Sequence, residues 1–321
     1  MTHQFARKLG VSHDQGAVNN DHDTSPRGLV AEIRAFPAVF ALRLLWLSLP
    51  FTVGATLGTA LDDTARSIQI VASTGMWTAW VLGLTASLIR RPLSLTVVRV
   101  IGPAMLVAAI IAAVASDAHP LALAHAGALS IIVLLPEVGE RFVDGLSYGD
   151  ERRVLLRAPF PVLVGTLPLT WAITVCGIAA GPLALAAQKW ILGALLIPIG
   201  LGLAYLSSRA LHGLTRRWVI FVPSGLVIHD LMQTREPFLL RRMDVQSVGP
   251  LMAGDEVGSS GTIDVSQNAL GIVLELKLSR QVEVVRLDRR IAEVQMIDRV
   301  LFSPSRPGAT LAEAKRRKVV G

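Results

Sequence analysis

Six apolar stretches separated by short polar connections dominate this chain, at about 38–60, 68–89, 97–116, 120–136, 161–181 and 190–208. A bilayer hydrocarbon core about 30 Å thick takes about 20 apolar residues in a helix to cross. Each stretch is close to that length. The fourth is the weakest, because it is short, bounded by Pro120 and Pro136, and carries His125. The expected fold class is therefore a membrane α-helical bundle of six transmembrane helices, followed by a smaller β-rich domain. Charged residues make up 17% of the chain against 52% hydrophobic, with a mean hydropathy of +0.52. The charge deficit is concentrated between about residues 38 and 208, which separates a membrane part from ordinary polar ends.

The basic residues orient the bundle. With six crossings one side receives Arg7, Lys8, Arg27, Arg34, Arg90, Arg91, Arg141, Arg152, Arg153, Arg157 and everything from Arg209 onward. The other side receives Arg66 and Lys189, together with Asp62, Asp63 and Asp117. Lys and Arg accumulate on the cytoplasmic side, so both termini are expected there, in a multi-pass protein of the cytoplasmic (inner) membrane. Five crossings would export Arg209, Arg216 and Arg217. Arg43 and Arg99 sit near cytoplasmic helix ends, where they can snorkel. A cleaved signal peptide is not expected, because the polar lead is long and the first apolar run holds Arg43 and Pro50. Residues 1–35 read as a disordered cytoplasmic segment, and 36–211 as the transmembrane domain.

Within the apolar stretches the chemistry is sparse. His125 is the only deep titratable side chain, a candidate intramembrane polar site whose bland reading is a hydrogen-bonded packing residue. Pro50, Pro103, Pro168 and Pro198 remove backbone donors and can expose carbonyls. Broken helices mark transporter sites in some folds, although Pro is simply common in membrane helices. Gly54 and Gly58 form a GxxxG element suited to packing inside the bundle or to self-association. Trp190 beside Lys189 reads as an interfacial anchor.

The third cytoplasmic segment, 137–153, is dense in charge and glycine. Tyr148, Asp150, Glu151, Arg152 and Arg153 are candidate interaction residues there, for salt bridging or docking onto the C-terminal domain. Its carboxylates match no metal-binding or phosphate-binding spacing. The lone Cys176 permits no internal disulfide and no CxxC site. The net charge of +7 lies beside apolar spans and accompanies no nucleic-acid motif, so nucleic acid is not an expected partner. No metal, cofactor or catalytic site is expected, and the protein is not read as an enzyme.

After Arg217 the periodicity changes. Residues 218–222, 226–230, 238–240, 244–249, 272–278 and 282–287 read as strands, with turns at Pro223-Ser224-Gly225 and at 279–281. A polar, glycine-rich loop covers 254–268, and Thr262–Val265 can hide one more strand. Asp288 is a helix N-cap candidate, and Ile291, Val294, Ile297 and Leu301 form a helical stripe. His229 and Asp230 read as a solvent-facing strand end. The stretch 217–230, then 240–248 and the final helix, resembles bacterial pleckstrin-homology-like (PH-like) domains appended to membrane proteins. The 147–153 stretch and the high Ala, Leu and Arg content are similar to uncharacterised actinobacterial multi-pass membrane proteins. The resemblance implies a PH-like domain over 216–303 that binds without catalysis. Residues 304–321 read as a basic disordered tail. Lys315, Arg316, Arg317 and Lys318 are candidates there for contact with anionic membrane lipids.

The expected function is thus a scaffold or docking protein of unknown molecular activity. Its cytoplasmic β domain binds a cytoplasmic protein partner or anionic lipid headgroups. The alternative is a transporter or channel for a small or lipidic solute, regulated by the β domain.

Overall fold

The computed structural model describes residues 36–116, 120–252, 261–288 and 291–319, and the packing below lies within Ala38–Gly321. The expectations for residues 1–35, for Asp117 and for the first part of the glycine-rich loop lie outside the described residues. Helix α1 (Pro37–Leu49) passes through a π-turn (Pro50–Gly54) into α2 (Ala55–Leu61). Then come α3 (Arg66–Leu88), α4 (Pro92–Ala115), α5 (Pro120–Leu134) and α6 (Pro136–Asp144). A short strand β1 (Arg152–Leu155) precedes a second π-turn (Val162–Thr166), α7 (Leu167–Ala186) and α8 (Trp190–Leu214).

Among the described residues, four rods are long and apolar enough to cross a membrane: Pro37–Leu61, Pro92–Ala115, Val162–Ala186 and Trp190–Leu214. A fifth exists if α5 and α6, bent by 54° at Leu135, count as one span. This is fewer than the six apolar spans expected. Helix α3 has the length, but Ser67, Gln69, Ser73, Thr74 and Thr78 dilute its apolar character. The bend after α5 has a local cause. Pro136 disfavours helical geometry at the residue before it, and Leu135 is extended with ψ 139°. Helix α6 then carries Glu137 in its first turn and Arg141 in its last, which complements its dipole.

Contacts between helix ends sort those ends into two groups. Arg43 Nε, midway along α1 and in the first third of the Pro37–Leu61 rod, donates to Ser87 O at the end of α3. Thr96 Oγ1 near the start of α4 lies 3.0 Å from His212 Nδ1 and 3.1 Å from Thr215 Oγ1 at the end of α8. Gly145, just after α6, lies so close to Arg90 O that an added Cβ would sit 2.4 Å from it. The opposite group is tied by Ser67 Oγ, at the start of α3, donating to Ala186 O at the end of α7 (2.6 Å).

Helices α7 and α8 form the tightest pair. A Cβ at Gly200 would lie 2.5 Å from Gly177 O, and one at Gly177 would lie 2.4 Å from Gly200 O. Gly181 and Gly193 are packed as closely, and the Thr174 and Ser207 hydroxyls meet at 2.7 Å. Small residues with a shared hydroxyl pair are how helices associate where no hydrophobic effect acts between them. The Gly54–Gly58 element does not play this part. A Cβ at Gly58 would meet nothing within 4 Å, so its face is not packed inside the bundle.

The remaining strands are β2 (Trp218–Val222), β3 (Gly225–His229), β4 (Phe238–Arg241), β5 (Val245–Pro250), β6 (Thr262–Asp264), β7 (Leu274–Asp288) and β8 (Ile291–Phe302). They form two four-stranded sheets, ordered β1-β2-β3-β4 and β5-β7-β8-β6. All recorded pairs are antiparallel except β6 with β8. One core lies between the sheets. Val154, Val219, Phe221, Leu226, Ile228 and Leu240 face Ile263, Leu274, Leu276, Ile297, Val300 and Phe302 across it. Helix α9 (Pro307–Arg316) closes it, with Ala314 buried and Leu311 packed against it.

Three expectations are corrected. Residues 291–301 are a strand, not a helix, because a period near three in apolar residues fits both. The 15-residue β7 supplies a ladder partner, which decides the outcome. The turn expected at 279–281 is a register shift between Lys277 and Val282 inside continuous β7. Residues 304–321 do not form a wholly irregular tail. Pro307 starts α9 at a position where its missing N–H costs nothing, and Thr310 and Ala314 are buried. The β domain is also discontinuous, because β1 comes from the third polar segment and precedes α7 and α8.

Gly200→Ala must force α7 and α8 apart and is expected to cost about 1–3 kcal/mol, as overpacking does. Gly202→Ala, where an added Cβ meets nothing within 4 Å, is expected to be neutral or slightly stabilising. Thermal unfolding of the two variants in the same detergent checks the contrast.

Candidate functional site

Chemistry inside the helical part gathers at Pro50. Proline has no N–H, so the carbonyl that would pair with it loses its partner. In α register that carbonyl belongs to Trp46, and in π register to Leu45. Both are satisfied by side chains. Trp80 Nε1 donates to Trp46 O at 2.8 Å, and His125 Nε2 lies 2.9 Å from Leu45 O. Because a carbonyl only accepts, His125 carries its proton on Nε2. Nδ1 then accepts from Thr52 Oγ1 at 2.7 Å. Trp46 Nε1 returns a bond to Trp80 O at 3.0 Å. The single deep histidine is thereby a backbone-capping group with both nitrogens engaged.

Above this node α2 and α3 diverge and leave an open groove of about 750 Å³. Ile70, Trp77, Val81 and Leu82 line it, with Asp62, Arg66 and Gln69 at one end. A smaller recess of about 260 Å³ between Pro50, Gly54, Met76, Trp80 and Met105 adjoins it.

The helical part meets the β domain at Arg217, which is 1% exposed. Its Nη2 lies 2.7 Å from Asp230 Oδ2 and donates to Val265 O at 2.8 Å. Its Nε donates to Asp230 Oδ2 and its Nη1 to Arg157 O, both at 2.9 Å. Asp230 Oδ1 also accepts from the backbone N–H of Met232. Asp230 is fully buried, which corrects the expected solvent-facing strand end. His229 points elsewhere. It stacks on Trp218 at 4.7 Å, and burial pushes its pKa below the ordinary imidazole value. Neutral, it donates Nδ1–H to Arg216 O at 2.8 Å. His229 and Asp230 therefore do not form an acid/base pair.

Most of the candidate interaction residues are spent on internal ties. Arg152 and Arg153 pair in register with Phe221 and Ile220 as part of β1. Arg153 also lies over the Trp218 ring and bridges to Glu151 at 3.5 Å. Asp150 meets Arg317 at 3.3 Å. Glu313 gathers both Arg316 and Arg317. The Arg316 guanidinium first, and then Arg317, hold the Glu313 carboxyl down to about 2. A further tie joins α6 to the C-terminus, where Ser305 Oγ donates to buried Glu140 at 2.9 Å. Tyr148 is 81% exposed, and Lys315 is exposed.

Lys318 belongs to a different surface. An open groove of about 540 Å³ lies between the β2–β3 turn, the end of β4 and the chain after α9. Arg241, Arg242 and Lys318 line it beside Leu239, Met243 and Pro223. Arg242 Nε donates to Lys318 O at 2.9 Å, which shapes the groove floor. Gly225 closes the turn with φ +152°, where a Cβ would strike Leu240 O. Met243 is 78% exposed. This surface sits at Val222, the far end of β2 from Leu214 and the helices. Sequence reading passed over Arg241, Arg242 and Met243; the available signal was a basic pair followed by a large apolar residue at a strand end.

Among the described residues no group of three or more His, Cys, Asp or Glu is placed to hold a metal ion. Comparison with protein-family models, with curated proteins and with solved structures gives no match.

Asp230→Ala strands a buried guanidinium and is expected to cost about 3–5 kcal/mol, much more than surface charge removal. Chemical unfolding followed by tryptophan emission measures it. Glu313→Gln gives a separate, pH-dependent expectation. A depressed carboxyl stabilises the fold fully above its ordinary value of 4.5, and that contribution is lost as pH falls toward 2. The difference in melting temperature between wild type and Glu313→Gln should therefore be constant near neutrality, shrink below 4.5 and be lost as the pH falls through about 2.

Proposed function

We propose that this is a non-enzymatic, multi-pass protein of the cytoplasmic membrane whose PH-like β domain docks an acidic segment of a cytoplasmic protein. The two groups of helix ends support an up-and-down passage of six helices, α3 included. Ile70, Trp77, Val81, Leu82 and Leu88 of α3 are exposed, as a lipid-facing helix requires. Strands β1 and β2 pair directly, so they share one side of the membrane. The two helices between them then leave that side and return to it. Arg90, Arg91, Arg152, Arg153, Arg157 and Arg216 fall in that same group of ends, which is the cytoplasmic one by charge.

The observation that carries the docking reading is the groove of Arg241, Arg242 and Lys318. Arg241 is exposed, and no ion pair is recorded for it among the described residues. Basic side chains interleaved with exposed Met243 and Leu239 complement an acidic chain with an apolar anchor. Headgroups of the host membrane are the poorer fit. The groove stands four strand steps beyond Trp218, roughly 13 Å from where α8 hands over to the sheet. The Debye length at physiological salt is only about 8 Å.

A segment 216–303 cut from the chain would lack both β1 and α9, so the test uses the full-length protein in nanodiscs. A fluorescent hexaglutamate peptide carrying one leucine is the probe, read by anisotropy. Arg241→Glu is expected to weaken binding about tenfold, as reversal of a contacting charge does, with melting temperature unchanged. Equal binding by wild type and variant would exclude the groove.

A further inference from the structure

The β domain exposes apolar side chains at the end nearest the helices, and among the described residues no packed element accounts for them. Leu231 and Met232 are each 43% exposed. They directly follow Asp230, whose partner Arg217 comes three residues after the end of α8. Leu270 and Ile272 are each 55% exposed. Leu270 is held by Arg157, whose Nη1 donates to its carbonyl, and Arg157 lies five residues before the helix that begins at Val162. The outer half of the β7–β8 hairpin adds Val294 and Met296, which are 66% and 47% exposed.

Registry ties that hairpin to the same end. Thr234 bridges Arg286, Arg235 N donates to Val285 O, and Leu287 N donates to Gln233 O. Val285 in turn pairs with Val294. Val294 is therefore two strand spacings, about 10 Å, from the 233–235 segment. Strand β8 pairs with β6 over Arg299–Leu301, so among the described residues no strand covers the outer edge of β8 near Val294.

We infer that this apolar rim rests in the surface of the host bilayer, so that the β domain lies against the membrane and does not hang free from it. The occupant is the headgroup and upper acyl region of the same leaflet that α7 and α8 enter. The two chain segments emerging from that leaflet, 157–161 and 215–217, flank Leu231 and Leu270. A patch tethered at two points this close to a bilayer cannot avoid it, and exposed apolar groups gain by partitioning there. On the hairpin itself Arg286 faces Glu293, a pair with no net charge. With the rim in contact, the basic groove at the opposite end of β2–β4 points away from the membrane. The inference rests on the membrane-crossing part of the proposed function and not on docking.

The exposed native Cys176 of α7 makes the test internally controlled. Three single-cysteine proteins are labelled with an environment-sensitive fluorophore in phosphatidylcholine nanodiscs: wild type, Cys176→Ala/Val294→Cys and Cys176→Ala/Met243→Cys. Nitroxide-bearing lipid is expected to quench the probes at 176 and 294, at least about twofold more than at 243, as burial of roughly 5–10 Å implies. Aqueous iodide should quench the 243 probe alone. Lipid quenching at 176 with iodide quenching at 294 would overturn the rim and leave the membrane topology standing. Iodide quenching at all three would overturn both.

Discussion

A guanidinium taken out of water must have its N–H groups matched, or the fold loses several kcal/mol. Arg217 meets that demand with groups drawn from three distant parts of the chain: the Asp230 carboxylate, the Arg157 carbonyl and the Val265 carbonyl. Each partner lies at a place where the architecture is decided. Arg157 ends the segment that supplies β1, Asp230 follows β3, and Val265 follows β6. One side chain thus fixes the third polar segment, the first sheet and the second sheet to the exit of α8. A salt bridge is weak evidence for stability by itself. Here its value is geometric, because one side chain holds partners from three distant parts of the chain at once.

The same rule, that polar groups away from water must be paired, organises the helical part. Pro50 takes the α-helical donor from the Trp46 carbonyl, and the molecule answers with Trp80 there and with His125 on the neighbouring Leu45 carbonyl, each from another helix. The groups that repair the break also hold α1, α3 and α5 together. A proline that would weaken an isolated helix therefore becomes the point at which three helices are registered. This also explains why a histidine lies so deep without a catalytic partner: both its nitrogens are committed to the backbone repair and to Thr52.

What the sequence made legible follows from the range of the forces involved. Apolar length reported the long helices, and Pro223-Ser224-Gly225 reported the β2–β3 turn, because both are local. The fewer fully apolar spans arise at α3, where Ser and Thr can bond within their own helix, as Thr78 does to Thr74 O. Strand β8 was misread because Ile291, Val294, Ile297 and Leu301 repeat near every third residue, and only β7 chooses between the alternatives. Strand β1 had the weakest local signal. Four residues, Arg152 to Leu155, become a strand through a partner more than sixty positions away. Arg152 and Arg153 are taken up in that pairing with Phe221 and Ile220. The basic groove was missed because Arg241 and Lys318 converge only after β4 and α9 are folded.

Because β1 and β2 are neighbours in one sheet yet are separated in sequence by α7 and α8, the β domain and the helix hairpin cannot be independent modules. The first sheet reaches its full width only when α7 and α8 have returned the chain to the side where β1 waits. Until then Val154 and Leu156 have no core to enter, and Arg217 has neither Arg157 nor Val265 within reach. The close Gly177–Gly200 contact sets how far apart the two ends of the hairpin emerge, and strand pairing requires those ends to be adjacent. Helix packing within the apolar layer therefore sets the condition for sheet pairing outside it. A domain assembled in this way reports on the completed insertion of its own anchor, and any surface it carries, the basic groove included, is formed only in a correctly threaded molecule.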